Sequence, residues 1–130
     1  MILALLVQGD PAMARSSRAA IDFAESAVAA GHRILRVFFH GEGVRHGDTR
    51  SGADPRADGI ARRWQRLARG SGTELICCVG SAARRGLRDS REAEREGAGE
   101  PNLLEGFELS GLGQLVDATL RADRLVVFGG

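Results

Sequence analysis

Lysine and tyrosine are absent from this sequence of 130 residues, and all eighteen of its basic side chains are arginine. Without lysine, the chain has no residue for Schiff-base catalysis and none for a phosphate-binding loop of the lysine-dependent type. Seventeen acidic residues nearly balance the arginines, which leaves a formal net charge of +1. This balance gives no electrostatic reason to expect direct binding to nucleic acid or to an anionic membrane.

Cysteine is also scarce, with two residues that are adjacent in the chain, Cys77 and Cys78. The apolar run near the N-terminus, 2–7, lacks a preceding charged region and is far too short to span a bilayer. Because no export signal is evident, we expect a cytoplasmic protein. In that reducing compartment a structural disulfide would be unusual.

Short apolar runs alternate along the chain with stretches in which apolar residues recur at helical spacing. Buried strands are predicted at 2–7, 34–39, 75–79 and 125–128, with one further short strand at 107–109. Strands that alternate with helices form βαβ units, which build a parallel sheet. We therefore predict a single α/β domain, residues 1–130, with three α/β/α layers around an open, mainly parallel sheet of four to five strands.

The segments between these strands carry signals for helix ends and for loops. Ser16 or Ser17 is expected to cap the first helix, and Ser110 the last. The segment 40–55 has several glycines and charged residues but little apolar material, which predicts a long surface loop.

The chemically distinctive feature is Cys78, which ends the third strand and runs into the segment 80–86. Reactive groups of parallel sheets collect beyond the carboxyl ends of the strands. Neighbouring strand residues point to opposite faces, so Cys77 is expected to pack in the core while Cys78 has a different environment. Gly80 lets the backbone turn and approach another molecule.

A helix that begins near Ser81 would favour a thiolate on Cys78 through its free N–H groups and its dipole. Arg84 and Arg85 would add positive charge. An ordinary cysteine has a pKa of roughly 8.5, and such surroundings lower it into the reactive range. On the residues alone, an alternative stays open, in which Cys78 is an inert, buried, small apolar residue.

Other motifs give weaker signals. A group of possible metal ligands occupies the segment after the second strand: His40, Glu42, His46 and Asp48. Their spacing matches no standard site, so a solvated loop is predicted there, and we expect neither a metal nor a cofactor. Gly111-Leu112-Gly113 lacks the strand and helix context of a dinucleotide-binding loop.

Several segments together resemble the DsrE/TusD family. The cysteine segment, Ile76-Cys77-Cys78-Val79 followed by Ala82-Ala83-Arg84-Arg85-Gly86, is similar to the family's cysteine motif. The segment Ser110-Gly111-Leu112-Gly113-Gln114-Leu115 is similar to its C-terminal signature, and 36–44 and 122–128 are similar to further parts. The resemblance covers nearly the whole chain, with the cysteine and Ser-Gly-Leu-Gly segments the most specific.

This resemblance implies a cytoplasmic sulfurtransferase subunit in which Cys78 accepts sulfur as a persulfide and passes it on. It implies a hetero-hexamer with DsrF/TusC-like and DsrH/TusB-like subunits, a TusA-like sulfur donor and a DsrC/TusE-like acceptor. The pathway would be dissimilatory sulfur oxidation or 2-thiolation of the tRNA wobble uridine. Thiol exchange needs no cofactor or metal.

The chain departs from the family pattern beside the cysteine, where Gly80-Ser81 replaces the usual two alanines. Two alternative functions are kept. One is a module that binds a small ligand such as a nucleotide at the edge of the sheet. The other is a non-catalytic structural subunit of a hetero-oligomer.

Overall fold

The computed structural model of the chain describes residues 1–57, 59–97 and 99–130. An all-parallel, five-stranded sheet forms its centre, in the order β4-β3-β2-β1-β5. The strands are β1 (Ile2–Val7), β2 (Arg33–Phe39), β3 (Glu74–Cys78), β4 (Phe107–Ser110) and β5 (Arg124–Phe128). The predicted α/β class with an open parallel sheet is confirmed, and the short strand expected at 107–109 is present as β4.

Helices connect the strands and cover both faces of the sheet. The α-helices are α1 (Arg15–Ala29), α2 (Ile60–Ser71), α3 (Val79–Arg84), α4 (Ser90–Glu96) and α5 (Gly113–Arg121). On one face the ring of Phe39 contacts Trp64 of α2, with 5.4 Å between the ring centroids. On the other face Arg36 donates a hydrogen bond of 2.9 Å to Asp117 of α5. The predicted three-layer arrangement is therefore confirmed.

Apolar side chains of the adjacent strands β1 and β2 form the core beneath α1 and α2. Leu5, Val7, Val37 and Phe39 are completely buried, as is Trp64. Burial of each such side chain contributes about 1.5–3 kcal/mol to folding before conformational entropy is subtracted. The continuous apolar runs in the sequence reflect this coverage of the sheet on both faces.

The prediction of a long surface loop at 40–55 is wrong. The segment forms successive 3-10 helices, Gly41–Gly47, Thr49–Ala53 and Pro55–Ala57, and it buries Val44, His46 and Asp48. Gly43 explains how the segment fits, because a Cβ there would lie 2.1 Å from the carbonyl oxygen of Val7. Turns of 3-10 type have no 3.6-residue apolar period, so no helical pattern is visible in this part of the sequence.

The expected serine caps are also wrong. Ser16 and Ser17 lie inside α1, whose N-cap residue is Ala14, and the Ser17 hydroxyl is 2.9 Å from the carbonyl oxygens of Gly9 and Asp10. Leu112, rather than Ser110, is the N-cap residue of α5. The hydroxyls of Ser16 and Ser17 instead donate hydrogen bonds to the residues after β5 and to the loop after β1, respectively.

The outward side of α5 is apolar. Leu112, Val116 and Leu120 recur every four residues and are 54%, 58% and 80% exposed. Beside them, Val127 of the edge strand β5 is 53% exposed. This surface has no cover within the part of the chain that the structure describes. In the same described residues, no helix has the length and apolar character needed to cross a membrane.

Candidate functional site

Two adjacent cysteines end β3 and enter different surroundings. Cys77 is completely buried, and its Sγ lies 3.8 Å from the carbonyl oxygen of Val44. Gly47 is so close that a Cβ there would come within 3.0 Å of both Cys77 Sγ and the ring of Phe107. Burial raises the pKa of the Cys77 thiol, and nearby negative charge acts in the same direction. Cys77 is therefore a protonated packing residue at neutral pH.

Cys78 occupies the junction where β3 passes directly into α3. It is the N-cap residue of this helix, which begins at Val79, two residues before the start expected near Ser81. The residue is 6% exposed, while Val79 and Gly80 after it are exposed. A Cβ on Gly80 would meet nothing within 4 Å, so the surface at Gly80, two residues after the thiol, is open. The thiol thus lies at the carboxyl edge of the sheet, where parallel sheets receive their ligands.

Opposing influences set the acidity of Cys78. Burial by itself would raise the pKa of the thiol, but the N–H and hydroxyl of Ser81, the N–H of Gly80 and the charge of Arg84 act against it. The result is a pKa below the ordinary value for cysteine. The Cys78 side chain makes no cap hydrogen bond to α3 in this structure.

The two arginines of the cysteine segment have different positions. Arg84 is exposed, and its charge acts on Cys78. Arg85 instead donates to Oε1 of Glu42 and to the carbonyl oxygen of Ser81, both at 3.0 Å. Because a carboxylate partly neutralises it, Arg85 fastens α3 to the 3-10 segment rather than adding free positive charge at the thiol.

In the segment after β2, the carboxylates proposed as possible metal ligands bind arginine side chains instead. Glu42 accepts hydrogen bonds from Arg45 and Arg85, and Asp48 accepts them from Arg50. Across residues 1–57, 59–97 and 99–130, no group of three or more candidate ligands is close enough to hold a metal ion.

His46 has a structural environment that the sequence did not reveal. It is completely buried, and its Nδ1 accepts a hydrogen bond of 3.2 Å from the indole N–H of Trp64. Its Nε2 lies 3.1 Å from both the carbonyl oxygen of Gly9 and Oγ of Ser17. Burial lowers the pKa of His46 to about 4, so the ring is neutral near pH 7. The residue joins the loop after β1 to the 3-10 segment and to α2.

A pocket of about 510 Å³ lies at the same edge of the sheet, beyond the ends of β1 and β5. Its lining comes from the loop after β1, the first turn of α1 and the chain after β5, and it includes Asp10, Met13 and Glu42. Glu42 contributes to this pocket and also binds Arg85 of α3. The 3-10 segment therefore lies between the pocket and the thiol.

The fold and the site together define an open, parallel α/β protein with one acidic thiol at the carboxyl edge of its sheet. Residues 1–128 match the family described as the DsrE/DsrF-like family, and the chain belongs to this family. The predicted family resemblance is confirmed.

Curated relatives of similar length support this placement. The chain is 43% identical to the DsrE protein of Allochromatium vinosum over 130 residues, which covers 99% of each chain. It is 41% identical to the sulfurtransferase TusD of Serratia proteamaculans, over 95% of this chain and 96% of the relative. The sulfurtransferase TusD homolog of Pseudomonas aeruginosa is 40% identical over 93% and 92%. These relatives confirm the prediction of a sulfurtransferase.

A solved structure shares the fold. The crystal structure of the YchN protein from E. coli superposes with a TM-score of 0.66, over 98% of this chain and 99% of that chain. The sequence identity is 19%, so the match concerns the architecture of the sheet and its helices.

Proposed function

We propose that this chain is a persulfide carrier in which Cys78 takes up a sulfur atom and hands it to a second thiol. The observation that carries the proposal is the contrast at the end of β3. The pKa of Cys78 is lowered at an open edge of the sheet, whereas the pKa of the buried Cys77 is raised. Thiol exchange proceeds through the thiolate, so Cys78 is the suited nucleophile.

Both transfer steps balance without an oxidant or a reductant. In the first, the Cys78 thiolate attacks the outer sulfur of a donor persulfide; a new S–S bond forms, and the donor's inner sulfur leaves as a thiolate. In the second, the thiolate of an acceptor attacks the outer sulfur on Cys78, and the Cys78 thiolate leaves. A low pKa helps Cys78 in both steps, because it supplies the nucleophile first and the leaving group afterwards.

The neighbouring residues have distinct parts in this proposal. Gly80, two residues after Cys78, leaves room for the approach of a partner's chain, since nothing lies within 4 Å of the position of a Cβ there. Ser81 and the exposed Arg84 stabilise the thiolate. Arg85 acts indirectly, through its hydrogen bonds to Glu42 and to the Ser81 carbonyl oxygen.

The proposal extends to an assembly. Partners of this class would be DsrF/TusC-like and DsrH/TusB-like subunits in a hetero-hexamer, a TusA-like donor and a DsrC/TusE-like acceptor. Support comes from the exposed apolar side of α5, since contiguous apolar surface of this kind is typical of protein interfaces. The relay would serve sulfur oxidation or tRNA wobble-uridine thiolation without direct contact between this chain and nucleic acid.

We also propose that the chain forms a single domain and that it is cytoplasmic. Residues 1–130 are proposed to form one domain, because the strands of one sheet come from both ends of the chain. A cytoplasmic location suits a free, acidic thiol, which an oxidising compartment would convert to disulfides.

The test is intact-mass spectrometry after incubation with a small-molecule persulfide, followed by addition of a low-molecular-weight thiol. The parent chain and a Cys77→Ala variant should gain one sulfur atom and lose it to the added thiol. Alanine is chosen because a serine hydroxyl would be buried at position 77. Cys78→Ser should gain none. Absence of uptake by the parent chain, alone and with co-purified partners, would overturn the carrier role and favour a ligand-binding or structural function.

A further inference from the structure

The six-residue helix α3, which carries Cys78 at its cap, is held from one side by the 3-10 segment after β2. The N–H of Gly41 donates a hydrogen bond of 3.0 Å to Oγ of Ser81. The carboxylate of Glu42 binds Arg85, which in turn donates to the Ser81 carbonyl oxygen. The hydroxyl of Ser81 is therefore held by Gly41, and its carbonyl oxygen is held by Glu42 through Arg85.

The hydroxyl of Ser81 is buried as well as fixed. Ser81 is 1% exposed, so water does not compete for its hydroxyl group. A hydroxyl has one proton, and the Gly41 N–H already uses a lone pair of this oxygen, so Oγ is left to act as a donor. Ser81 follows the cap residue Cys78 by three residues, across the first turn of α3, and this spacing places the two side chains on the same side of the helix. The Ser81 hydroxyl is also among the groups that lower the pKa of Cys78.

We propose that Ser81 is a positioning residue for sulfur transfer and that the turn Gly41–Glu42 directs its hydroxyl proton to the sulfur of Cys78. The inference rests on the proposed carrier role of Cys78 and adds a division of labour to it. Gly41 orients the donor, and Glu42 holds the helix backbone through Arg85.

The expected consequence differs between the two transfer steps. When sulfur is discharged, the Cys78 thiolate is the leaving group, and a hydrogen bond to that thiolate speeds its departure. During uptake the same bond raises the thiolate fraction near neutral pH but makes each thiolate a weaker nucleophile. Loss of the bond therefore slows discharge at every pH, and slows uptake only where the thiol is partly protonated.

The test is the pH dependence of alkylation by iodoacetamide, measured in a Cys77→Ala background so that only Cys78 reacts. Ser81→Ala should shift the profile to higher pH and slow alkylation near pH 7 by at least about threefold. On the high-pH plateau it should react as fast as the parent or faster, because the freed thiolate is the stronger nucleophile. A merely structural defect would not produce this crossing of the two profiles.

Glu42→Gln is the second variant. The Glu42 side chain is partly exposed, and its replacement leaves Ser81 itself intact. It should shift the alkylation profile in the same direction as Ser81→Ala but by less. Glu25→Gln is the matched control; it breaks the ion pair between Glu25 of α1 and Arg63 of α2 and should leave the profile unchanged. Ser17→Ala controls for loss of an equally buried serine hydroxyl away from the thiol.

Each outcome decides the inference separately from the carrier role. Profiles of Ser81→Ala and parent that coincide within about twofold across the pH range would overturn the positioning role. A Glu42→Gln profile that matches Glu25→Gln would overturn the part assigned to the turn. Alkylation needs no persulfide, so a shifted profile would stand even if Cys78 took up no sulfur, and unshifted profiles would refute the positioning role even if sulfur uptake were normal.

Discussion

Cys77 and Cys78 are neighbours in the chain, yet they differ in each property that governs the reactivity of a thiol. Around Cys77 lie Val44, Gly47 and the ring of Phe107, and burial raises its pKa. Cys78 is followed by the exposed residues Val79 and Gly80, and hydrogen-bond donors lower its pKa. The two residues are of the same type, but neighbouring strand residues face opposite sides of the sheet, and α3 begins directly after Cys78. These two features give the cysteines different roles.

The largest disruption of this contrast is expected from Gly43→Ala. Its Cβ would lie 2.1 Å from the carbonyl oxygen of Val7 and 2.9 Å from the carbonyl carbon, and neither backbone atom can move aside. Gly43 lies between Gly41, which serves the Cys78 side, and Val44, which packs on Cys77. We expect a loss of about 3 kcal/mol or more in the free energy of unfolding, measured by chemical denaturation.

Gly52→Ala is the matched control, since its Cβ would meet nothing within 4 Å. It should change stability by no more than about 0.5 kcal/mol. Equal stabilities of the two alanine variants would show that the close approach to β1 does not constrain the segment.

Acid should lower the free energy of unfolding through the buried side chain of His46. Its pKa is about 4 when folded, because of burial, and about 6.5 when unfolded, so the unfolded chain binds the proton first as the pH falls. The stability from the neutral ring is complete above pH 6.5 and is lost progressively towards pH 4. The loss should reach about 3 kcal/mol.

Denaturation of the parent chain and of His46→Gln at several pH values measures this effect. The variant should be less stable at pH 7, because the amide does not replace the buried ring that packs on Phe39 and Trp64, but its stability should change less between pH 6.5 and 4. Parallel pH profiles for both chains would contradict the assignment to His46.

Gly47→Ala sharpens the comparison because it crowds Cys77 and not Cys78. The new Cβ would come within 3.0 Å of Cys77 Sγ and of the Phe107 ring, which should cost about 1–3 kcal/mol of stability. Adding Cys77→Ala removes one of the two close contacts. A double-mutant cycle should therefore show favourable coupling, and simple additivity would refute the packing role of Cys77.

Arg84→Gln should have the smallest effect, confined to Cys78. The side chain is exposed, so its charge is screened, and alkylation near pH 7 should slow by no more than about fivefold. High salt should reduce the rate of the parent chain towards that of the variant. Arg66→Gln, an exposed arginine on α2, serves as control and should react like the parent. A salt-independent rate would argue against the electrostatic role of Arg84.

The sheet and its helices follow largely from the sequence. Apolar runs at β1, β2, β3 and β5 have the composition of strands covered on both faces. Asp89 is the N-cap residue of α4, and its side chain accepts a hydrogen bond from the N–H of Glu92. The 3-10 segment escaped prediction because its order depends on a distant contact, the fit of Gly43 against Val7. Serine caps failed for a similar reason, since Ser17 binds carbonyl oxygens of the preceding loop.

The candidate site was only partly accessible to sequence reasoning. Alternation along a strand predicts opposite surroundings for Cys77 and Cys78, and proximity in the chain points to Ser81 and Arg84. The contact between Gly41 and Ser81 joins residues forty positions apart. The carboxyl ends of the adjacent parallel strands β2 and β3 must lie side by side, which indicates that the segments after them are close. It does not specify which atoms of the two segments meet.

The most direct test of the contrast is native-state alkylation of the unmodified chain near neutral pH, with fragmentation of the labelled peptide to assign the site. Our account predicts that Cys78 is labelled rapidly, with an apparent pKa below that of an ordinary thiol, and that Cys77 is labelled only after unfolding. Equal labelling of the two cysteines, or prior labelling of Cys77, would contradict it.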